Sequence, residues 1–244
     1  MIQARSIAGG LIALGALALA GCQTTQDKAK AVQERAADLQ AAQVPLTIPK
    51  PNKDVQVIDQ TIISDENGSA VAVEARNTTS RTLVGVPILI DVRDAQGKPV
   101  FKNDAFGLDF ALNHIPLMKP GETVTWVNDQ ILSSGEPTSV KATVGQPDSV
   151  DPPQIPRIAV SEPRLHDDPS GVEVEGSVTN QSQLDQRKLV LFAVARRGGE
   201  IIAAGRGQVK NLRAEKRSFS YNIFFIGDPQ GADVEIEAPP TTFE

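Results

Sequence analysis

Cysteine is nearly missing from this 244-residue chain: Cys22 is the only one. A single thiol closes no internal disulfide, so the folded parts must hold together by core packing alone. Histidine is almost as scarce, with only His114 and His166. Little is left to act as a base near neutral pH, and no Gly-x-Ser-x-Gly elbow accompanies either imidazole. Basic charge is short as well: 24 Lys and Arg stand against 30 Asp and Glu, a formal charge of −6. Such a chain lacks the basic surface that nucleic acid or an anionic lipid face demands. Long apolar runs are missing too. The longest, Ile7 to Ala20, has 14 residues. As a helix it would rise about 21 Å, short of the ~30 Å hydrocarbon core of a bilayer.

That short run follows a start carrying one cation, Arg5, and closes on Leu19-Ala20-Gly21-Cys22. Its length suits the apolar region of a signal peptide. The segment resembles the signal peptide and lipobox of bacterial lipoproteins. The resemblance implies export to the cell envelope and removal of residues 1–21, with Leu19, Ala20 and Gly21 as the cleavage motif. It also implies a diacylglyceryl group on Cys22 as the sole covalent cofactor and the anchor to a membrane. Two acyl chains, at about 0.8 kcal/mol per buried methylene, hold a protein stably on a bilayer. Removing Arg5 with the leader leaves 23 cations against 30 anions, a formal charge of −7. Gln23 rather than Asp after the cysteine implies the outer membrane in a cell that has two.

The remainder divides by pattern. Residues 22–53 read as a lipid-anchored tether. Gln23 to Gln43, rich in Ala, Gln, Lys and Glu, favours helix, and Pro45, Pro49 and Pro51 then impose extended chain. From Asp54 the periodicity changes to alternation. Val71, Val73 and Ala75 form one such run, and Val86, Ile88, Ile90 and Val92 another. Asn67-Gly68 marks a hairpin and Pro120-Gly121 a type II turn. These signals predict an all-β fold of two tandem Ig-like antiparallel sandwiches, spanning 54–146 and 158–240. A linker over 147–157, stiffened by Pro147, Pro152, Pro153 and Pro156, joins them.

The second span repeats the first. Val172, Val174, Gly176 and Val178 run into Asn180 as Val71, Val73 and Ala75 run into Asn77. Setting Leu117 on Leu212 places Trp126 on Tyr221, both nine residues on. Asn77 to Leu117 is 40 residues and Asn180 to Leu212 is 32, so the first copy carries eight more, within Lys102 to Ile115. Ala70 to Lys98 and Val172 to Glu200 resemble small bacterial immunoglobulin-like modules of the FxLyD and related extracellular types. That resemblance implies a binding or structural role at the envelope.

Few residues carry candidate chemistry. The insertion holds Phe106, Leu108 and Phe110, with Phe101 just before it and His114 at its end. Two accounts compete: a flap or edge strand covering the core, or a hydrophobic loop that captures a partner. Trp126 and Tyr221 read as core aromatics whose polar tips reach a bonding group. His166-Asp167-Asp168 offers metal-ligand types, but three consecutive side chains do not converge on one ion, and a solvated turn is the simpler account. Asp65 to Ser69 is a turn without the distal glutamate of a calcium loop. The Asn-x-Ser/Thr triplets at Asn67, Asn77 and Asn180 read as turn composition. No residue is assigned as catalytic or metal-binding. The expectation is a non-enzymatic lipoprotein that presents two modules to a protein or cell-wall partner. The alternative is a carrier of a small ligand or metal ion in the cleft between the modules.

Overall fold

The computed structural model describes residues 45–169, 171–214 and 218–243, and the chain from Pro45 onward forms one compact unit. Cys22, its preceding Leu19-Ala20-Gly21 and the stretch through residue 44 lie outside the described residues. Two antiparallel β-sandwiches follow one another. The first contains β1 (Val55–Asp65), β2 (Gly68–Asn77), β3 (Leu83–Arg93), β4 (Pro99–Lys102), β5 (His114–Met118), β6 (Thr123–Asn128), β7 (Ser139–Val144) and β8 (Ser149–Val150). One sheet runs β1-β2-β6. The other centres on β3, which pairs with β4 and β5 along one edge and with β7 and β8 along the opposite edge. The second sandwich contains β9 (Ile158–Val160), β10 (Arg164–Asp168), β11 (Gly171–Asn180), β12 (Gln186–Arg197), β13 (Glu200–Leu212), β14 (Ser218–Phe224), β15 (Ile226–Gly227) and β16 (Asp233–Glu237). Its sheets run β10-β11-β14, with β9 also on β11, and β15-β13-β12-β16. In each module one strand, β2 or β11, sits between its hairpin partner and a later strand.

One buried asparagine ends this strand in each module and ties the module's two sheets together. Asn77 accepts from the amide and hydroxyl of Thr79 and donates to the carbonyls of Arg81, Met118 and Lys119. Asn180 accepts from the amide and hydroxyl of Ser182 and donates to the carbonyls of Leu184 and Leu212. Both are fully buried. The Asn-x-Ser/Thr pattern is therefore a structural device, in which the hydroxyl two residues on serves the amide oxygen. Register confirms the pairing of Trp126 with Tyr221. Trp126 faces Val73, four residues before Asn77, and Tyr221 faces Gly176, four before Asn180. The shared carbonyl is that of Met118, not Leu117. The separations are 41 and 32, so the insertion is one residue longer than the sequence alignment gave and the turn after it one shorter.

The modules do not stand apart. On β12, Leu189, Leu191, Ala193 and Ala195 fill the second module's own core. The alternate residues Val190, Phe192 and Val194 join the first module's core, together with Ala204 and Ile226. The face they meet carries Ala70 and Ala72 of β2 and Val127 of β6. Small side chains there let two sheet faces come close, and large ones opposite fill the gap.

The proline-rich stretches belong to the fold as well. Instead of spanning freely, residues 147–157 include β8, and Asp148 and Asp151 donate their amides to Gly85 and Thr82. Asp151 further accepts from the Thr82 amide and pairs with Arg81 at 2.7 Å. Prolines donate no ladder bond, yet the residues between them do. Pro45–Lys53, expected as a spacer, lies along the first module: the Leu46 amide donates to Asp104 and the Asn52 amide to Val144, each at 2.8 Å. Ile48 sits over Gly145, whose missing side chain makes room. No helix among the described residues is long and apolar enough to cross a membrane.

Candidate functional site

The insertion interrupts a strand. In the second module β13 runs unbroken beside β12 from Glu200 to Leu212. In the first, β4 and β5 cover the two ends of β3 and leave Ile88 to Ile90 without a strand partner on that edge. The side chain of Asn103 takes the missing strand's place. It accepts from the Ile90 amide at 2.7 Å and donates to the Ile88 carbonyl at 2.9 Å and the Leu112 carbonyl at 2.8 Å. The Asn113 carbonyl receives the Ile88 amide. Unmet backbone groups in a core strand are costly, so this fully buried asparagine is what makes the interruption tolerable.

Between Asn103 and Asn113 the chain makes a compact loop that ends in a 3-10 helix, Phe110–Leu112, capped by Asp109. Ala111, Leu112 and Ile115 are buried, and the Ala111 carbonyl accepts the indole N–H of Trp126 at 2.8 Å. The loop thus divides between core and solvent. Its base covers the core, and Phe101 packs against that core. Leu108 is half-buried. Its tip is open: Phe106 is 58% exposed and Phe110 43%. His114 stacks on Phe110, with ring centroids 4.2 Å apart and planes within 10°, and its Nδ1 lies 2.7 Å from Oδ1 of Asn113. Burial holds the imidazole below its ordinary pKa, opposed by Asp148 and a backbone bond to Phe110.

Asp109 does more than cap. Lys188 and Gln208 of the second module donate to it at 2.6 and 2.7 Å. Burial alone would raise its pKa, but these bonds and the Ala111 amide outweigh that and hold it below the usual carboxylate range. Among the described residues every ion pair between the modules follows one polarity, with the acid on the first and the base on the second. Asp109 meets Lys188, Asp129 meets Arg206 at 3.4 Å, and Glu74 meets Arg196 at 2.6 Å. Burial raises the Asp129 carboxyl in spite of Arg206. These pairs border the apolar contact built on Phe192.

The cleft between the modules is real. It has a volume of 690 Å³ and takes lining from Leu117, Val124, Ile155, Pro156 and Pro239, with Glu237 on its wall. Thr125 donates its amide to Oε1 of Glu237 at 3.2 Å. Burial, with Glu122 and Glu235 adding repulsion, pushes this carboxyl up to about 7 against the pull of the Thr125 bond and Arg196. Nothing in the sequence had singled out Glu237.

His166, Asp167 and Asp168 are corrected from a turn to strand: they form most of β10 and pair with β11. Asp167 accepts from Gln230. Among the described residues no three His, Cys, Asp or Glu side chains gather where they would hold a metal. Asp65 accepts from the Asn67 amide and from the Gly227 amide of the second module, so that turn serves docking. No protein-family model matches the chain, and no curated protein matches it in sequence.

Proposed function

We propose that this is a cell-envelope lipoprotein, acylated at Cys22 and without enzymatic activity, that holds a docked pair of β-sandwiches for protein or cell-wall recognition. The Phe106–Phe110 tip is the contact. One observation carries this reading: two large aromatic side chains stay exposed on a loop whose base is fixed by Asn103, Asp109 and Trp126. Long loops on rigid sandwiches commonly carry recognition, and an apolar tip on a fixed base binds at little ordering cost. The sheet faces offer less, because β2, β6, β12 and β13 use theirs on one another.

Cosedimentation of the purified soluble form with isolated envelope fractions tests the tip. Replacing Phe106 and Phe110 with Ser should abolish cosedimentation while the melting temperature stays put. Unchanged cosedimentation would remove the tip from consideration. The anchor has its own test, since Cys22→Ser should release the protein from membranes. Retention at the processed size would count against acylation there. A second reading, carriage of a small ligand, is favoured by the 690 Å³ cleft between the modules.

A further inference from the structure

Glu237 sits in β16 opposite Phe192 of β12, at the point where the second module meets the edge of β6. The acids around it are matched. Glu122 pairs with Lys119 at 3.4 Å, and Glu74 and Glu235 share Arg196 at 2.6 and 3.2 Å. Glu237 alone has no ion-pair partner among the described residues. Of its two oxygens, Oε1 takes the Thr125 amide and Oε2 has no hydrogen-bond donor among the described residues. Lys119, Glu122 and Arg157 are the other charged residues of the lining, and Leu117, Val124, Ile155 and Pro156 supply an apolar part of it. The Thr125 bond and the pull of Arg196 offset only part of the desolvation cost of an acid so placed.

We propose that the cleft between the modules binds a primary ammonium group carried on a short apolar chain, with Glu237 as its counter-ion. This assignment rests on the carrier reading and names its ligand class. The geometry favours an ammonium over a guanidinium. A guanidinium grips a carboxylate best through both oxygens, and Oε1 already spends one of its lone pairs on Thr125. An ammonium is a compact point charge that needs only Oε2. Leu117, Val124, Ile155 and Pro156 offer apolar surface to the methylenes behind it, and the volume falls within the range of small-ligand sites, about 300–1,000 Å³. The same chemistry is offered by a free alkylamine and by a lysine side chain within a peptide.

The groups facing Glu237 set how binding depends on pH. Glu122 and Lys119 flank it from the turn before β6, Glu74 from β2, Arg196 from β12, Glu235 from its own strand and Arg157 from the connecting segment. With its carboxyl at about 7, Glu237 is mostly neutral at pH 5.5 and mostly ionised at pH 8.5, while an alkylammonium keeps its charge at both. Affinity scales with the competent fraction, so binding should be roughly 30-fold tighter at pH 8.5.

The test is titration of the soluble two-module protein with n-butylamine, with Nα-acetyl-lysine methylamide and with n-butanol, followed through the amide resonances of Thr125 and Ala238. The expected result is saturable shifts from both amines at pH 8.5, roughly 30-fold weaker at pH 5.5, and lost in Glu237→Gln, a neutral isostere of the protonated acid. Tighter binding of the lysine derivative assigns the source to a peptide, and equal binding assigns it to a free amine. If n-butanol binds as well as n-butylamine, or Glu237→Gln binds both amines normally, the ammonium assignment fails while the cleft remains a carrier site. If no probe produces saturable shifts at pH 8.5, both the assignment and the carrier reading fall.

Discussion

The two modules close the same side of their sandwich in different ways. In the second, β13 passes Leu191 and Ala193 of β12 with Gly207 and Gly205. These glycines let β14 press in: a methyl group on Gly205 would lie 2.2 Å from the Phe224 carbonyl oxygen, and one on Gly207 2.7 Å from Ile223. In the first, the matching positions are Ile88 and Ile90, 11 and 13 residues after the marker asparagine in each copy. There the strand breaks off and the loop fills the gap with Ala111 and Leu112. The late aromatic differs accordingly. Trp126 is the larger and finds an acceptor in the loop. Tyr221 is the smaller, is laid across Gly176, and its buried hydroxyl has no partner among the described residues. One edge can thus be sealed by subtraction, with glycines, or by addition, with a loop. Only addition leaves residues over to face solvent.

The largest expected effect would break the union of the modules. Phe192→Asp places a charge in the shared core and should cost about 4 kcal/mol or more, turning a single urea transition into two. Asn103→Ala strands the Ile88 and Ile90 groups and should cost about 3 kcal/mol by urea denaturation, an effect without counterpart in β13. The paired substitutions Trp126→Phe and Tyr221→Phe sharpen the contrast between aromatics. The first leaves the Ala111 carbonyl bare and should cost about 1–3 kcal/mol, whereas the second removes an unpartnered hydroxyl and should be near neutral. Equal costs would show that the loop's bond to Trp126 contributes nothing particular.

A smaller effect concerns pH. The folded state holds the Glu237 proton until about 7, whereas an exposed glutamate releases it near 4.5. This contribution to stability is complete below 4.5 and is lost as pH rises through 7. Glu237→Gln should therefore melt higher relative to the native chain at pH 8 than at pH 5, and a constant difference would refute the assignment. Smallest of all, Phe106→Ser with Phe110→Ser should move stability by no more than about 0.5 kcal/mol, since both side chains are exposed and belong to neither core.

Alternation and turns made the sandwich class legible before any coordinates. Val71, Val73 and Ala75, the Asn67-Gly68 hairpin and the Pro120-Gly121 turn all fall where the pattern put them, and the Trp126–Tyr221 correspondence survives in the register. Docking was not foreseen, yet it left a mark. Leu189-Val190-Leu191-Phe192-Ala193-Val194-Ala195 is apolar at every position, the signature of a strand covered on both faces. Attention to alternate residues alone hid the second face. Proline density over 147–157 marked a stiff connection between the modules but says nothing of what the intervening amides bond to. Asn103 was illegible for a deeper reason: a side chain standing in for backbone follows no period. Glu237 was hidden likewise, its surroundings being assembled from segments more than a hundred residues apart.

The segment from Pro45 to Lys53 has a mechanical corollary. Tension arriving along the chain from residue 44 is delivered first to the Leu46–Asp104 bond, at the foot of the aromatic tip, and then to the Asn52–Val144 bond. These give way in succession, like stitches, before β1 is loaded. The strap is thus a shock absorber in series with the sandwich. Because its first stitch is sewn to the insertion, a tug from upstream would disturb Phe106 and Phe110 before it disturbed any sheet.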